Sequence, residues 1–321
     1  MGSSWVKSSV VLSLAAAALS GFSSGAQQTR PASPAARIPP QQAIALAQQG
    51  HCRESISGLE QAVTVQSAAE TRKLAGVLGI RCSLAIDDRP ATLDFIRILS
   101  RDFGHDPDVL YVIVHAYSDL STRTALDLAR SDPQSTAAHK LNAEALEEQG
   151  RWKPAELEYE EILKKQPDAR GIHFLLGRLL LSNPDGGPDA PARAREEFLQ
   201  ELQIDPGNAD AEYILGVLAQ HAQDWDEAIA RFSQAAKLDQ NLAEAYLGWG
   251  VSLLGEKKYE EAIAPLKHAE RLTPGNPDIH NALATALVRT GNRAEAEKEF
   301  AILQSINSKN QSNAPAGDRP Q

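Results

Sequence analysis

Apolar residues recur along most of the chain at the three- and four-residue spacing of amphipathic helices. From residue 209 onward the pattern itself repeats every 34 residues, over 209–242, then over 243–276, and again from 277. A period of this length is typical of helical hairpins that stack side by side, because one hairpin cannot bury its apolar face alone. The pattern therefore predicts an all-α chain built as an array of antiparallel hairpins.

Three kinds of position mark each unit of the array. The first helix carries a large residue followed by a small one, at Leu176-Gly177, Leu215-Gly216, Trp249-Gly250 and Leu283-Ala284. The second helix carries a small residue and, four positions later on the same face, a large one, at Ala155/Tyr159, Ala194/Phe198, Ala228/Phe232, Ala262/Leu266 and Ala296/Phe300. Proline closes most units, at Pro133, Pro167, Pro206 and Pro274, and Gln240 replaces it once.

These positions resemble the tetratricopeptide repeat family, in which the same large, small, aromatic and proline residues recur together. The resemblance implies a right-handed α-solenoid that binds other proteins through its concave side. It covers an array over 132–305, with an insertion at 183–188 that lengthens one internal turn. The five units of this array are 136–169, 170–208, 209–242, 243–276 and 277–310.

The region 40–131 is also helical in pattern, but it matches the repeat poorly. Terminal units of such arrays are often atypical because they cap the stack, so we expect degenerate hairpins here; a different small helical domain is the alternative. Residues 27–39 are predicted to be a flexible lead-in and residues 306–321 a disordered tail. The helices predicted within 40–131 are 41–49, 52–65, 69–85, 91–102, 108–119 and 122–130.

The first 26 residues have the parts of a cleavable export signal. Lys7 is the only charged residue among them, an apolar run spans 10–19, and small residues end at Ala26. The apolar run is shorter than the roughly 20 residues that a membrane-spanning helix needs. We therefore expect an exported protein, periplasmic or extracellular and of bacterial type; an uncleaved anchor is the alternative.

The two cysteines, Cys52 and Cys82, fall near ends of neighbouring helices if the degenerate hairpins keep the register of the repeat. Antiparallel helices would bring these ends together, and an exported chain permits a disulfide. Closing this loop would stabilise the fold by about 3 kcal/mol in the chain-entropy model. Two small buried thiols are the alternative.

Composition and motifs point away from catalysis and from nucleic acid. The formal net charge of −10 disfavours nucleic acid and anionic membranes as partners. The chain has no zinc-protease, phosphate-binding-loop or nucleophile-elbow motif, and the repeats leave no room for a separate catalytic domain. His139, His173 and His280 share one repeat position, which places them too far apart to share a metal ion, so packing is their expected role. We therefore predict no catalytic residue, no metal and no cofactor.

A variable line of residues, here called the first-helix stripe, remains as the candidate binding surface. The resemblance implies that first helices line the concave side, and helical spacing puts unit positions 5, 9 and 12 opposite the buried face. The stripe is charged in its first unit and mainly apolar afterwards, which suits a peptide or helix with spaced apolar anchors. Its members are Lys140, Glu144, Glu147, Phe174, Arg178, Leu181, Tyr213, Val217, Gln220, Leu247, Val251, Leu254, Asn281, Thr285 and Val288.

The expected function is a non-catalytic interaction scaffold in the cell envelope that binds a protein or peptide of unknown identity. Two alternatives stay open at this point. One is a recruiting subunit of an envelope enzyme or polysaccharide-handling complex, and the other is an enzyme with an unrecognised site. If superhelical curvature or a neighbouring segment already covers the first-helix stripe, no open groove remains.

Overall fold

The computed structural model describes residues 38–64 and 67–313, with side chains described as far as residue 309. Within these ranges the regular structure is helical and contains no strand, so the prediction of an all-α chain is confirmed. None of the described helices is both long and apolar enough to span a membrane. The predicted signal over 1–26 and nearly all of the predicted lead-in lie outside the described residues.

The chain divides into two compact units at Leu141, inside its sixth helix. The first unit has a core of its own, in which Leu59, Phe95 and Leu99 are fully buried. Its helices are α1 (Pro40–Gln48), α2 (Cys52–Ala62), α3 (Ala69–Ala85), α4 (Arg89–Phe103) and α5 (Pro107–Ser131).

The second unit holds the predicted array of hairpins. Each predicted repeat contributes two helices, beginning with α6, which crosses the unit boundary. The helices are α6 (Thr136–Glu148), α7 (Trp152–Lys165), α8 (Ile172–Ser182), α9 (Ala190–Ile204), α10 (Ala209–His221), α11 (Trp225–Leu238), α12 (Ala243–Gly255), α13 (Tyr259–Leu272), α14 (Pro277–Arg289) and α15 (Arg293–Asn313).

Hairpins in both units share one kind of turn. The residue two positions before the second helix has a positive φ, a conformation that normally favours glycine. The helix pairs α1–α2 and α3–α4 use this turn, as do four helix pairs of the array. The residues concerned are Gly50, Asp87, Gly150, Gln223, Lys257 and Gly291.

Close helix crossing explains the small residue of each first helix. An added Cβ at Gly216 would come within 2.8 Å of the Phe232 ring, and one at Gly250 within 2.4 Å of Leu266. Phe232 is 1% exposed and Leu266 0% exposed, so each fills the space that the glycine leaves. The hairpins are therefore held together by a large side chain packed against bare backbone.

One prediction for the first unit was wrong. The segments 108–119 and 122–130, expected as two helices, form the single helix α5. No glycine or proline separates them, and the hydroxyls of Thr122 and Thr124 donate to helix carbonyls four residues earlier. The last helix also differs from expectation: α15 runs to Asn313, so the first part of the predicted tail is helical.

The two cysteines join the second and third helices. Cys52 at the start of α2 and Cys82 near the end of α3 form a disulfide, with Cα atoms 4.7 Å apart. The helices run antiparallel, which brings these two ends together. The disulfide thus links the first two hairpins of the first unit covalently.

Candidate functional site

The first-helix stripe lies on the inner side of the second unit. Successive first helices α10, α12 and α14 contact one another, and these contacts are more extensive than those between the second helices α11, α13 and α15. A stack whose first helices approach more closely curves toward them. The stripe positions on these helices therefore belong to the concave side of the stack.

The middle of the stripe is apolar and half-buried. Tyr213 and Val217 on α10 pack against the Phe232 cluster, and Leu247, Val251 and Leu254 on α12 pack against the cluster around Leu266. Part of each side chain faces a neighbouring helix and part faces solvent. These residues therefore offer shallow apolar contacts rather than deep pockets.

Two aromatic pairs fix the orientation of stripe residues. The Phe174 and Phe198 ring centroids lie 5.6 Å apart at 60°, an edge-on arrangement, and those of Tyr213 and Phe232 lie 5.7 Å apart. Burial, and secondarily the charge of Glu244, raises the pKa of Tyr213. Each stripe aromatic is thus held in place by the large residue of its own second helix.

Glu201 sets the start of α8 and so places Phe174. This carboxylate is fully buried and accepts hydrogen bonds from the backbone N–H of Gly171, at 2.8 and 3.0 Å, and of Phe174, at 3.3 Å. Gly171 offers no side-chain cap, so a glutamate from α9 replaces it. Sequence reasoning missed this residue because its partners are about thirty positions away.

The charged end of the stripe is internally paired. Arg178 Nη2 donates to Glu147 Oε2 at 3.1 Å, and the Tyr159 hydroxyl donates to Glu147 Oε1 at 2.7 Å. Burial raises the pKa of Tyr159, and the hydrogen bond to Glu147 raises it further. Glu147 and Arg178 therefore neutralise each other, while Glu144 is left exposed. Lys140 is also exposed and belongs to the first compact unit.

In the repeats from residue 209 onward, the polar stripe residues are uncharged. Gln220 Nε2 donates to Ser252 Oγ at 3.1 Å, which ties α10 to α12. Asn281, Thr285 and Val288 on α14 are all exposed. The far end of the stripe is thus the most open to solvent.

The accessibility of the apolar stripe residues differs from one to the next. Of the eight apolar members, only Leu181, at 38%, and Val288, at 49%, are exposed. The other six are half-buried by neighbouring helices, namely Phe174, Tyr213, Val217, Leu247, Val251 and Leu254. The array itself therefore covers part of the stripe. Its accessibility is intermediate between the open groove and the fully covered surface that were the two expectations.

His173 and His280, at the fourth repeat position, each contact a glutamate of their own second helix and the carbonyl oxygen of a proline in the preceding turn. His173 contacts Glu197 through Nδ1 at 2.7 Å and the Pro167 carbonyl through Nε2 at 3.1 Å. Their expected role in packing at the seam between units fits this placement, but both ring nitrogens also meet acceptors. Sequence reasoning missed the glutamate partners.

His280 repeats this arrangement in the last hairpin. Its Nδ1 lies 2.7 Å from Glu299 Oε2 and its Nε2 lies 2.8 Å from the Pro274 carbonyl oxygen. Burial alone would lower the pKa of His280, but the hydrogen bonds to Glu299 and Pro274 outweigh it and raise the pKa. In the repeat 209–242, Glu212 and Arg231 take the equivalent places and pair at 3.0 Å.

Comparison with known proteins agrees with this architecture. Two family models, each described as tetratricopeptide repeat, match the chain: one over 141–209 and 213–277, the other over 253–314. Together they cover just over half of the chain. A search of curated protein sequences finds no match.

Solved structures of similar fold match just over half of the chain. The MamA protein is 23% identical, with a TM-score of 0.50, over 56% of this chain and 96% of its own. The MamA RS-1 ArsTM double mutant is 18% identical, with a TM-score of 0.50, over 56% and 97%. YrrB, a TPR protein with an unusual peptide-binding site, is 18% identical, with a TM-score of 0.49, over 57% and 91%. At these identities the likeness is one of fold.

Proposed function

The chain belongs to the tetratricopeptide repeat family, and on this premise we propose that it is a non-catalytic scaffold whose first-helix stripe binds a peptide or helix of a partner protein. Proteins of this family bind other proteins or peptides through their repeats. The finer part of the proposal, binding at the stripe, rests on the surface of the second unit.

The observation that carries the proposal is the line of apolar side chains left open to solvent on the concave side. Leu181 and Val288 are exposed near opposite ends of this line, and half-buried apolar residues connect them. A scattered apolar residue on a surface needs no explanation, but an aligned series rimmed by polar groups is typical of a peptide-binding groove.

The spacing of the repeats sets the spacing of the partner's anchors. Packed helices lie roughly 10 Å apart. A helical partner rises about 10 Å in seven residues, and an extended partner covers about 10 Å in three. We therefore expect apolar anchors every seven residues in a helical partner, or every three in an extended one.

Paired polar groups leave most of the stripe neutral, with Glu144 as an exposed charge at its charged end. The Glu147–Arg178 ion pair and the Gln220–Ser252 hydrogen bond satisfy stripe polar groups within the array itself. Binding would then depend mainly on burial of apolar area. An acidic chain with a net charge of −10 also favours partners that are neutral or basic.

The proposed location of the protein is outside the cytoplasm. Its support is the signal-like pattern of residues 1–26 together with the Cys52–Cys82 disulfide, since disulfides persist in oxidising compartments. Fractionation of cells that express the chain tests this part: recovery of the protein in the cytoplasm alone, at full length, would contradict it.

Peptide selection tests the binding site directly. The full chain is used to select binders from a displayed peptide library, and their affinities are measured by fluorescence anisotropy. Leu181→Glu and Val288→Glu alter exposed side chains and should weaken binding at least tenfold, and Leu247→Glu and Val251→Glu should abolish it. The control is Ala264→Glu, at an exposed position of the second helix α13.

Thermal melting of each variant separates loss of binding from loss of fold. Leu247 and Val251 are half-buried, so their melting points decide whether these variants can be interpreted. Leu181→Glu and Val288→Glu should melt close to the unaltered protein. Unchanged affinity in these two variants would overturn the proposed site.

A further inference from the structure

Three potential metal ligands converge at the last seam of the array. Glu270 on α13, His280 on α14 and Glu299 on α15 each place a ligand atom within 4.8 Å of the others. The three come from three successive helices, so the packing of the last hairpin onto the preceding unit brings them together. His280 is 1% exposed and the side chain of Glu299 is 12% exposed.

The ring of His280 is oriented as in metal sites. Its Nε2 lies 2.8 Å from the Pro274 carbonyl oxygen, which can only accept, so Nε2 carries a hydrogen. Metal-binding histidines usually donate their second ring N–H to a carbonyl or carboxylate, which fixes the ring and leaves the other nitrogen free to ligate. Here Nδ1 is that other nitrogen, and it faces Glu299 at 2.7 Å.

The chain contains a natural comparison that isolates Glu270. His173, Glu197 and the Pro167 carbonyl form the same bridge in an earlier hairpin. There, the position equivalent to Glu270 is Leu163, a partly buried residue in the apolar core. The bridge therefore forms without a second carboxylate, and Glu270 needs another explanation.

Two carboxylates so close together repel each other unless a cation lies between them. No lysine or arginine forms an ion pair with Glu270 or Glu299 in the described part of the chain; Glu299 has only His280 as a partner. A single imidazole facing two carboxylates leaves excess negative charge at a largely buried seam. A divalent ion bound in the place of the Nδ1 proton would balance that charge.

We propose that Glu270, His280 and Glu299 bind a divalent transition-metal ion, with Zn²⁺ the best fit. One imidazole and two carboxylates suit Zn²⁺, whereas Mg²⁺ and Ca²⁺ prefer oxygen ligands alone. Ligand atoms about 2.1 Å from one tetrahedral ion lie roughly 3.4 Å apart, within reach of small rotations of the glutamate side chains. The ion would fasten the last hairpin to the unit before it, a role that sequence reasoning did not foresee.

Zinc titration of the full chain, without an added histidine tag, tests the site. Competition with a chromophoric chelator should show one tight Zn²⁺ equivalent for the unaltered protein. Glu270→Leu copies the residue found at Leu163 and should weaken that equivalent at least tenfold, as should the isosteric Glu270→Gln. The control Glu197→Gln alters the bridge that lacks a third ligand and should leave Zn²⁺ binding unchanged.

Thermal melting gives a second readout. Zn²⁺ should raise the melting temperature of the unaltered protein and of Glu197→Gln, but not that of Glu270→Leu or Glu270→Gln. Absence of a tight equivalent in the unaltered protein would overturn the proposal. Equal zinc affinity in the unaltered protein and the two Glu270 variants would also overturn it, since the metal would then bind elsewhere.

Discussion

The Phe232 ring lies against the bare backbone of Gly216, so closely that a β-carbon at residue 216 would come within 2.8 Å of ring atom Cδ1. The same ring also meets Gly248 of the next first helix, where an added β-carbon would come within 2.6 Å. Phe232 thus joins its own hairpin to the next one. Two glycines in helices, which disfavour them, are explained by this single ring.

Replacing Gly216 by alanine should therefore destabilise the array. Alanine gains about 1 kcal/mol in helix propensity, but overpacking costs about 1–3 kcal/mol, so we expect a net loss of roughly 1 kcal/mol. Urea unfolding measures this change. Gly275→Ala, in the turn between α13 and α14, is the control for an added methyl group that meets no neighbour, because nothing lies within 4 Å of it there. Equal stability of the two variants would contradict the packing described.

The equivalent aromatic residues Phe232 and Phe300 should differ in their effect on stability. Phe232 is 1% exposed, whereas Phe300 in the last hairpin is 45% exposed, because no described hairpin follows it. Phe232→Ala should cost about 3–5 kcal/mol of unfolding free energy, and Phe300→Ala less than about 1 kcal/mol. The unfolding free energies of both variants are measured by chemical denaturation. Similar losses in the two variants would contradict the difference in burial between Phe232 and Phe300.

Reduction of the Cys52–Cys82 disulfide should weaken the first unit alone. The loop of 30 residues that it closes corresponds to about 3–4 kcal/mol in the chain-entropy model. The second unit has no cysteine, so it serves as the internal control. Hydrogen exchange with and without a reductant should show faster exchange in α2 and α3 and no change in α10–α13. A uniform change over both units would contradict this expectation.

Acid should weaken the array through Glu227. The hydrogen bond from Arg195, at 2.7 Å, lowers the pKa of Glu227; burial opposes this, and Arg231 lowers the pKa further. Because the folded pKa is below the ordinary value of 4.5, the stabilisation is full above that value and is lost as pH falls through the folded pKa.

Unfolding free energies between pH 6 and pH 3 test this dependence. Glu227→Gln removes the titrating group, so the variant should lose less stability on acidification than the unaltered protein. Glu196→Gln, at an exposed residue without an ion pair among the described residues, is the control and should behave like the unaltered protein. Identical pH profiles for all three proteins would rule out a role for Glu227.

The repeat pattern predicted the fold because several positions recur together, and each has a packing reason visible at Gly216 and Phe232. Residue patterns were less informative about whether a helix continues or ends. Residues 119–122 lack a helix breaker, yet a helix boundary was predicted there, between 108–119 and 122–130.

Long-range side-chain contacts account for most of what the sequence did not reveal about the site. The burial of Tyr213 depends on the Phe232 ring, and Arg178 pairs with Glu147 from a separation of 31 residues. The link between His280 and Glu299 had a usable signal, since Glu212 and Arg231 pair at the same separation of 19 residues. Pairing of polar residues 19 positions apart within a repeat could therefore have been predicted from the sequence.

Site-specific photo-cross-linking tests the central claim, that the first-helix stripe binds a peptide, most directly. A photoreactive residue is placed at Val251 on the stripe or, as the control, at Ala264 on α13, and each protein is irradiated with a peptide selected by the unaltered chain. The account predicts an efficient cross-link from residue 251, lost on addition of excess unlabelled peptide, and none from residue 264. A cross-link from residue 264 alone, or equal cross-links from both, would contradict it.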